Sequence, residues 1–358
     1  MQMKNMSVTV IGCVGVPNSY GGFEALAENL AKTTSLKLKI YCSGKAYPAH
    51  DRHSSFHGAE LVYIPISANG VSSLFYDVIS IIHAIFHGER IFLCLGVSGS
   101  WVFPFLRLIF PKIKIITNVD GIEWRREKFG KVGQFLLKKL HVLAERFSHQ
   151  IICDNLGLYK FIDFQNRHKV SVIAYGGDQV LCHRHLPSEV EFFNYSLALC
   201  RIVPENNIEM ILSAFIETNE TLVFVGNWCH SEYSKHIYEK YKRHKNLHLL
   251  EESYDGPFLY HLRKQAKNYV HGHSAGGTNP SLVEAMFLSD IIFSYDCVFN
   301  RHTMHETGYY FKNSKDLAQL LTRKIKSESS IYSKIAHQEY CWDTIADQYK
   351  RCCLEKTI

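Results

Sequence analysis

Two glycine-rich segments of the sequence carry residues suited to binding phosphate groups. The later segment, residues 271–286, reads H-G-H-S-A-G-G-T-N-P-S-L-V-E-A-M, and a helix pattern begins near Pro280. The unpaired N–H groups and the dipole of a helix N-terminus favour an anion at that position. We therefore expect a phosphate beside this segment, with these candidate contacts: Gly276, Gly277, Thr278, Asn279 and Ser281.

Glu284 lies one turn inside that predicted helix. A carboxylate there can accept hydrogen bonds from the hydroxyl groups of a ribose or of another sugar. It can equally be a charge that stabilises the positive end of the helix dipole. Both interpretations stay open from the sequence.

The earlier segment, I-G-C-V-G-V-P-N-S-Y-G-G-F-E from residue 11, follows a strand pattern and precedes a helix pattern. Gly21 and Gly22 are the expected centre of a second anion site. The glycine spacing differs from G-x-G-x-x-G, which disfavours a dinucleotide-binding domain. A plain tight turn is the alternative.

Further candidates follow strands of the second half. Arg201 comes directly after the strand pattern L-A-L-C. Ligands of open α/β sheets bind at such carboxyl ends, and a guanidinium suits a diphosphate. Gly226 and Asn227 follow V-F-V in the same way, with Trp228 next to them. The alternative for Arg201 is a solvated surface side chain.

Short β-branched runs alternate with longer helix patterns along the whole chain, which predicts parallel sheets covered by helices. The alternation restarts near Tyr195, and one sheet with that many strands is improbable, so we expect two α/β domains. The predicted division is residues 1–180, residues 181–335 and a C-terminal helix over 336–358, with a linker near 177–192.

Composition and charge narrow the function. The chain has 358 residues, of which 46% are apolar and 21% charged, as in globular proteins. Residues 1–180 carry 20 Lys and Arg against 13 Asp and Glu, so the positive net charge lies in this half. That asymmetry fits contact with lipid headgroups or a lipid-linked diphosphate, and the alternative is the ordinary basic surface of a soluble enzyme. Nucleic acid is disfavoured because the cations are dispersed and no binding motif accompanies them.

Metal sites and membrane spans are not expected. The eleven cysteines include no C-x-x-C pair, which favours reduced thiols in a cytosolic protein over structural zinc. His271 and His273 have no third ligand in view, and no Asp-x-Asp is present to hold a divalent ion on a diphosphate. The strand pattern near Val8 leaves no room for a signal peptide, and no apolar run reaches roughly 18 residues.

The segment around Glu284 resembles the donor-binding motif of retaining GT-B glycosyltransferases, in which two Glu separated by seven residues bracket a glycine-containing helix start. Glu284 matches the second Glu, and Gly276 stands at the position of the first. The resemblance implies an α/β fold of the GT-B type, with two Rossmann-like domains whose parallel sheets face each other across a cleft. It also implies that the C-terminal helix returns to the first domain.

Strings between residues 11 and 286 are similar to bacterial rhamnosyltransferases that build capsule or O-antigen polysaccharide. Besides the two glycine-rich segments, they are L-G-V-S-G, N-V-D-G-I-E-W-R-R-E-K, C-D-N, A-Y-G-G-D and C-R-I-V-P-E-N-N-I-E-M-I. This resemblance implies transfer of a hexosyl unit such as rhamnosyl from a dTDP- or UDP-sugar to a lipid-diphosphate-linked saccharide. No cofactor or metal is expected, and the location implied is cytoplasmic, with peripheral contact at the inner face of the plasma membrane.

The resemblance also assigns roles to residues. Gly21, Gly22, Arg201, Gly226, Asn227 and the 276–281 contacts would bind the donor. Relatives with an Arg-x4-Lys diphosphate pair would have Lys at 206, where this chain has Asn206. Asp120, where relatives often have His, and Glu284 are the candidate catalytic residues; a loop cap is the alternative for Asp120. The candidate acceptor contacts are Tyr20, Glu123, Arg125 and Arg126.

Two other functions remain open at this stage. A nucleotide-sugar epimerase of the same double fold would turn over the donor without an acceptor. A non-catalytic nucleotide-sugar-binding partner of a polysaccharide assembly complex would bind the donor without any turnover.

Overall fold

The computed structural model describes residues 7–18, 21–121, 124 and 130–355. The chain forms two compact units, one of Met1–Ala174 with Trp342–Ile358 and the other of Tyr175–Cys341. The boundaries expected from the sequence were at residues 180 and 335. In the structure the first unit ends after residue 174, and the second unit ends after residue 341.

Parallel strands make up nearly all of the first unit's sheet. The strands are β1 Val8–Ile11, β2 Leu38–Ser43, β3 Ser55–Phe56, β4 Ala59–Ile64, β5 Ile91–Leu95, β6 Lys114–Asn118, β7 Gln150–Cys153 and β8 Val170–Val172. Over the described residues their order is β3-β4-β2-β1-β5-β6-β7-β8. The short β3 pairs antiparallel with β4, and the other pairs are parallel.

The second unit contains a parallel sheet of its own. Its strands are β9 Ser196–Leu199, β10 Leu222–Val225, β11 Leu247–Leu250, β12 Asn268–His271, β13 Ile292–Tyr295 and β14 Tyr309–Phe311. Their order, β11-β10-β9-β12-β13-β14, is that of a doubly wound, Rossmann-like sheet. If the short β3 is left out, the strands of the first sheet follow the same order, and β8 is one additional strand at its edge.

Helices connect these strands. They are α1 Gly22–Thr33, α2 Ser73–Phe86, α3 Phe103–Ile109, α4 Lys131–Phe147, α5 Ile208–Thr218, α6 Glu232–Tyr241, α7 Gly256–Gln265, α8 Pro280–Leu288, α9 Val298–Thr303, α10 Ser314–Thr322, α11 Ser329–Glu339 and α12 Trp342–Leu354. Central strands such as β5 and β10 are buried along their whole length. That burial explains their continuous apolar sequences, because a parallel sheet is covered on both faces.

Helix α12 packs against α1 within the first unit. The Nδ2 of Asn118, at the end of β6, donates to the hydroxyl of Tyr349 over 2.8 Å, and Lys114 Nζ donates to the carbonyl of Cys352 over 2.7 Å. Both contacts join α12 to the same strand. The last helix therefore helps to fix the strand that leads to Asp120.

Each sheet has one pair of neighbouring strands from which the chain continues towards opposite edges of the sheet. In the first unit this switch point lies between β1 and β5, and in the second it lies between β9 and β12. Ligands of doubly wound sheets bind in the crevice outside the carboxyl ends of such strands. The topology therefore indicates where to look for a site in each unit.

Candidate functional site

The loops after β9 and β12 are fastened to each other at the second switch point. Asn207 Nδ2 donates to the carbonyl of Gly272 over 2.8 Å, and Ser274 Oγ donates to the carbonyl of Glu205 over 2.8 Å. A Cβ on Gly272 would lie 2.2 Å from the carbonyl oxygen of Asn206, so this approach requires glycine. The result is a preformed pair of loops.

Arg201 stands on this pair of loops with its side chain exposed. Asn206 is buried, and its Nδ2 donates to the carbonyl of Arg201 over 2.8 Å. The residue that replaces the lysine of the diphosphate pair is therefore a positioning residue for the Arg201 backbone. The described residues offer no carboxylate within ion-pair distance of the guanidinium, which leaves it available to an anion.

Two stacked histidines lie in the same region, and one of them is close enough to Arg201 to feel its charge. The ring centroids of His271 and His273 are 4.4 Å apart, with 9° between the ring planes. Burial, helped by the charge of Arg201, lowers the pKa of His273 to about 3, and burial beside His273 holds the pKa of His271 well below its ordinary value. Both rings are therefore neutral near pH 7. Both nitrogens of His271 and Nδ1 of His273 are buried without a hydrogen-bond partner within the described part of the chain.

The start of α8 follows the β12 loop. Gly276 has a φ of +113°, and nothing lies within 4 Å of a Cβ built there. Asn279 is the N-cap, and its side chain accepts from the backbone N–H of Ser281 over 3.2 Å and from Ser281 Oγ over 2.8 Å. Thr278 is buried, whereas Gly276 and Gly277 are partly exposed. The end of this loop is therefore reachable from solvent.

Glu284 is held by two side chains of its own unit. One carboxylate oxygen pairs with the guanidinium of Arg263 on α7, and the other accepts from Gln179 Nε2 over 2.8 Å. Arg263 is 4% exposed, so the pair neutralises a buried cation. These contacts fix the orientation of Glu284, and they give it a structural role whatever it does towards a ligand.

The residues after β10 make mostly structural contacts. A Cβ on Gly226 would lie 2.6 Å from the carbonyl oxygen of Cys200, so this glycine allows the β9 loop to pack closely. Asn227 Nδ2 donates to Glu252 over 2.6 Å. Trp228 is 1% exposed and donates to the carbonyl of Leu250, which places it in the core and not on a ligand-binding surface.

A carboxylate lies over the start of α1 in the first unit. Glu24 is buried, its Oε1 accepts from the N–H of Val14 over 2.6 Å, and its Oε2 would lie 2.1 Å from a Cβ on Gly21. Gly21 has a φ of +116° and is the N-cap of α1, which begins at Gly22. The protein therefore supplies its own carboxylate at this helix start.

Other acidic groups collect at the same switch point. Asp77 of α2 is buried against Gly99 beyond β5, and burial raises the pKa of Asp77 to about 7. Burial also raises the pKa of Glu24, and it raises the pKa of the Cys13 thiol well above its ordinary value, with contributions from Cys42, Glu24 and Asp77. Oδ1 of Asp77 has no hydrogen-bond partner within the described ranges.

Asp120 follows β6 and lines a small pocket of the first unit. It has a φ of +56°, and its N–H donates to Asn118 Oδ1 over 3.0 Å. The pocket also includes Gly96, Val97, Trp124 and His141. Asn118 thus links Asp120 to the hydroxyl of Tyr349 on α12, which is the contact that fixes this loop.

The candidate acceptor contacts Tyr20, Glu123, Arg125 and Arg126 lie outside the described residues. Among the described residues, no group of three or more His, Cys, Asp or Glu is placed to hold a metal ion. No described helix has the length and apolar character needed to cross a bilayer.

Sequence reasoning missed the residues that hold the site together. Arg263 and Gln179 approach Glu284 from positions 21 and 105 residues away in the chain. Asp77 lies in an apolar helix pattern. A lone carboxylate on the buried face of such a pattern is a signal that could have marked it as a candidate functional residue. The structure brings Arg201 and the 272–274 loop together, and it gathers Gly276, Gly277, Thr278, Asn279, Ser281 and Glu284 around the start of α8.

Comparisons with known proteins identify the fold. A family model described as a domain of unknown function (DUF1972) matches residues 5–178. No curated protein matches the sequence significantly. Among solved structures, sucrose-phosphate synthase from Thermosynechococcus elongatus aligns with a TM-score of 0.74 and 14% identity, covering 97% of this chain and 98% of that one.

Two further structures align over the same extent. HepE from Anabaena, in complex with UDP, has a TM-score of 0.68 and 14% identity over 97% of this chain and 99% of its own. The catalytic domain of starch synthase IV from Arabidopsis thaliana, bound to ADP and acarbose, has a TM-score of 0.68 and 11% identity over 97% and 98%. The α/β chain with two parallel-sheet domains therefore has the GT-B fold expected from its sequence.

Proposed function

We propose that the protein is a glycosyltransferase that moves a hexosyl unit from a nucleoside-diphosphate sugar to a saccharide acceptor carried on a lipid diphosphate. The observation that carries the proposal is Arg201, an exposed guanidinium without a carboxylate partner in the described structure, at the switch point of a doubly wound sheet. HepE, a neighbour of the same fold, was crystallised with UDP and with UDP-glucose. A dTDP- or UDP-sugar is the donor class we infer.

The donor diphosphate would lie against Arg201, with the partly exposed glycines before α8 beside it. A guanidinium can give two parallel hydrogen bonds to phosphate oxygens, and the dipole of α8 adds to the attraction. Arg201 then stabilises the charge that develops on the diphosphate as the glycosidic bond breaks. Because Asn206 supplies no charge, Arg201 carries more of this task than it would beside a lysine.

Asp120 is the residue we assign to the acceptor side of the reaction. Asp120 lines a pocket with His141 and Trp124, and its loop is held through Asn118 and Tyr349. A carboxylate so placed can orient an acceptor hydroxyl or stabilise an oxocarbenium-like transition state. We expect Asp120→Asn to lower kcat while leaving the affinity for the donor unchanged.

The first experiment measures nucleotide binding by calorimetry for UDP, dTDP and ADP. We expect UDP or dTDP to bind, and Arg201→Ala to weaken that binding about 10- to 100-fold, as loss of a hydrogen bond to a charged group does. Arg243, an exposed cation of the same unit, provides the control through Arg243→Ala, which should bind as the wild type does. Equal affinity for both variants would contradict the donor site.

A second experiment distinguishes transfer from the two other functions. Release of nucleoside diphosphate and the identity of the sugar on the remaining donor are followed with a UDP- or dTDP-hexose, with and without a lipid-diphosphate-linked saccharide. A transferase needs the acceptor, an epimerase alters the donor in its absence, and a non-catalytic partner does neither. A chelator in the same assay tests the proposed independence from metal, and the anomeric configuration of the product tests the proposed retention.

A further inference from the structure

Helices α2, α3 and α4 lie on one side of the first unit's sheet. The connections β4–α2–β5, β5–α3–β6 and β6–α4–β7 all advance across the sheet in the same direction. Right-handed crossovers therefore put these helices on one face and α1, which connects β1 to β2 in the other direction, on the opposite face. The 3-10 segment Ser98–Val102 contacts both α2 and α4, and α3 contacts α4.

The outward side of α2 is apolar. Phe75, Ile79, Ile82 and Phe86 recur at intervals of four, three and four residues, which is the spacing of one helix face, and all four are exposed. Phe86 is 82% exposed. The buried side of the same helix carries Tyr76, Val78, Ile81 and Ile85. Helix α2 is therefore apolar on both sides, although described protein covers only one.

The neighbouring helices continue this apolar surface. Trp101 is exposed and donates from its indole nitrogen to the carbonyl of Leu74, which ties it to the start of α2. The exposed apolar side chains of α3 and α4 are Phe105, Leu108, Ile109, Val132, Phe135, Leu136 and Val142. Single exposed hydrophobic residues are ordinary, but many of them on three helices of one face of the sheet indicate an interaction surface.

Cations accompany these apolar residues. Arg107 of α3 and Lys131, Lys138, Lys139 and Arg146 of α4 are exposed. The ammonium of Lys139 lies 5.3 Å from the ring centroid of Phe135, so cation and aromatic ring share one surface. Charge and apolar area are therefore presented together.

Carboxylates are kept off this surface. Helices α2, α3 and α4, each described from end to end, contain two carboxylates, Asp77 and Glu145, and both are buried. The charge that these helices present to solvent is thus positive throughout. Apolar and aromatic side chains mixed with cations alone suit the headgroup region of a bilayer that contains anionic lipids.

The other helices that the structure describes lack this combination. Helix α1, on the opposite face of the same sheet, is covered by α12. In the second unit the exposed large apolar residues are scattered, and they include Phe193 and Tyr254. The surface is therefore a local property of α2, α3 and α4 and not a general feature of the molecule.

We propose that the outer surface of α2, α3 and α4 docks onto an anionic lipid bilayer, with the apolar side chains inserted among the headgroups and the cations paired with lipid phosphates. The inference extends the proposed function, because a lipid-linked acceptor would be reached at a membrane surface. Docking onto the bilayer would be separate from donor binding, which we assign to the second unit.

The test is sedimentation of the full chain with vesicles. We expect binding to vesicles of equal parts phosphatidylglycerol and phosphatidylcholine, and much weaker binding to phosphatidylcholine alone. The variant Phe75→Ser, Phe86→Ser, Leu108→Ser should lose binding more than tenfold. Lys138→Gln with Lys139→Gln should weaken it by about fivefold for each lysine. Salt should weaken wild-type binding as well.

The matched control is Phe193→Ser with Tyr254→Ser, two residues of the second unit that are 84% and 73% exposed. It should bind vesicles as the wild type does. No binding of the wild type, or an equal loss in control and test variants, would overturn the proposal. So would a dimer in solution, measured by sedimentation velocity, that the Phe75, Phe86, Leu108 variant dissociates, because the surface would then join two copies.

Nucleotide binding is measured on the same variants. A variant that keeps its affinity for UDP or dTDP while losing vesicle binding is folded and supports the docking surface. A wild type that binds nucleotide but no vesicles would remove the docking surface and leave the glycosyltransferase proposal intact. A wild type that binds vesicles but no nucleotide would do the reverse.

Discussion

The two switch points have the same topology and opposite chemistry. Between β1 and β5 the first unit gathers buried acids, Glu24, Asp77 and the Cys13 thiol, whose pKa values are all raised. Between β9 and β12 the second unit gathers bases, the exposed Arg201 near two histidines whose pKa values are lowered. In both cases the largest cause is burial, which disfavours the charged form of either kind of group.

This difference indicates that the same strand order can carry opposite chemistry, so strand order alone does not decide what a switch point could bind. An anion brought to the first switch point would meet Glu24 over the start of α1. At the second it would meet the exposed guanidinium of Arg201, and the buried histidine rings near it carry no charge at pH 7. The comparison favours the second unit as the place of the diphosphate, and it leaves Gly21 and Gly22 as predicted donor contacts that any added ligand must share with Glu24.

The largest expected effect concerns the buried cation of the second unit. Glu284→Ala would leave Arg263 buried without its counter-charge, and we expect a loss of about 3–5 kcal/mol in the free energy of unfolding. Glu209→Ala is the control, because it breaks an exposed pair with Lys240 and should cost about 0–1 kcal/mol. Urea denaturation measures both. Similar costs for the two variants would show that Glu284 is not needed to neutralise Arg263.

The next prediction concerns the acidic switch point. Asp77 keeps its proton in the folded state up to about pH 7, whereas the ordinary pKa of an Asp side chain is 3.8. The contribution of Asp77 to the free energy of unfolding is therefore fully present below pH 3.8 and is lost as the pH rises through 7. Each pKa unit corresponds to about 1.4 kcal/mol, which sets an upper limit of about 4 kcal/mol. We expect Asp77→Asn to gain stability relative to the wild type between pH 4 and pH 8. A pH-independent difference between the two proteins would contradict the raised pKa.

The basic switch point should show the opposite pH dependence. The pKa of His273 is lowered from 6.5 to about 3, so its contribution to stability is present above pH 6.5 and is lost as the pH falls. Between pH 7 and pH 5 this loss amounts to about 2 kcal/mol. Relative to the wild type, His273→Gln should therefore gain about that much stability over the same range. His271 stacks on His273 and also has a lowered pKa. It is present in both the wild type and the variant, so the comparison reports on His273 alone.

The sequence predicted the parts that repeat and missed those that depend on distant contacts. Alternating strand and helix patterns indicated two parallel α/β sheets, because buried strands such as β5 must be continuously apolar. Arg201 could be placed at a strand end for the same reason. No local pattern could show that Gln179 and Arg263 hold Glu284, or that Asp77 is buried against Gly99, because partners far apart in the chain meet only after folding.

The smallest expected effect tests the position where the chain departs from the Glu-x7-Glu pattern. Gly276 has a φ of +113°, which side-chain-bearing residues rarely adopt, yet a Cβ there meets nothing within 4 Å. The cost of any side chain should therefore come from the backbone, at about 1–2 kcal/mol. We expect Gly276→Ala and Gly276→Glu to lose similar stability, with no gain in donor affinity for Gly276→Glu. The neighbouring Ala275 is exposed and outside the positive-φ region, so Ala275→Glu is the control that adds the same charge without strain. If Gly276→Glu bound the donor more tightly at no cost in stability, the loop would be flexible, and the preformed site at the second switch point would lose this support.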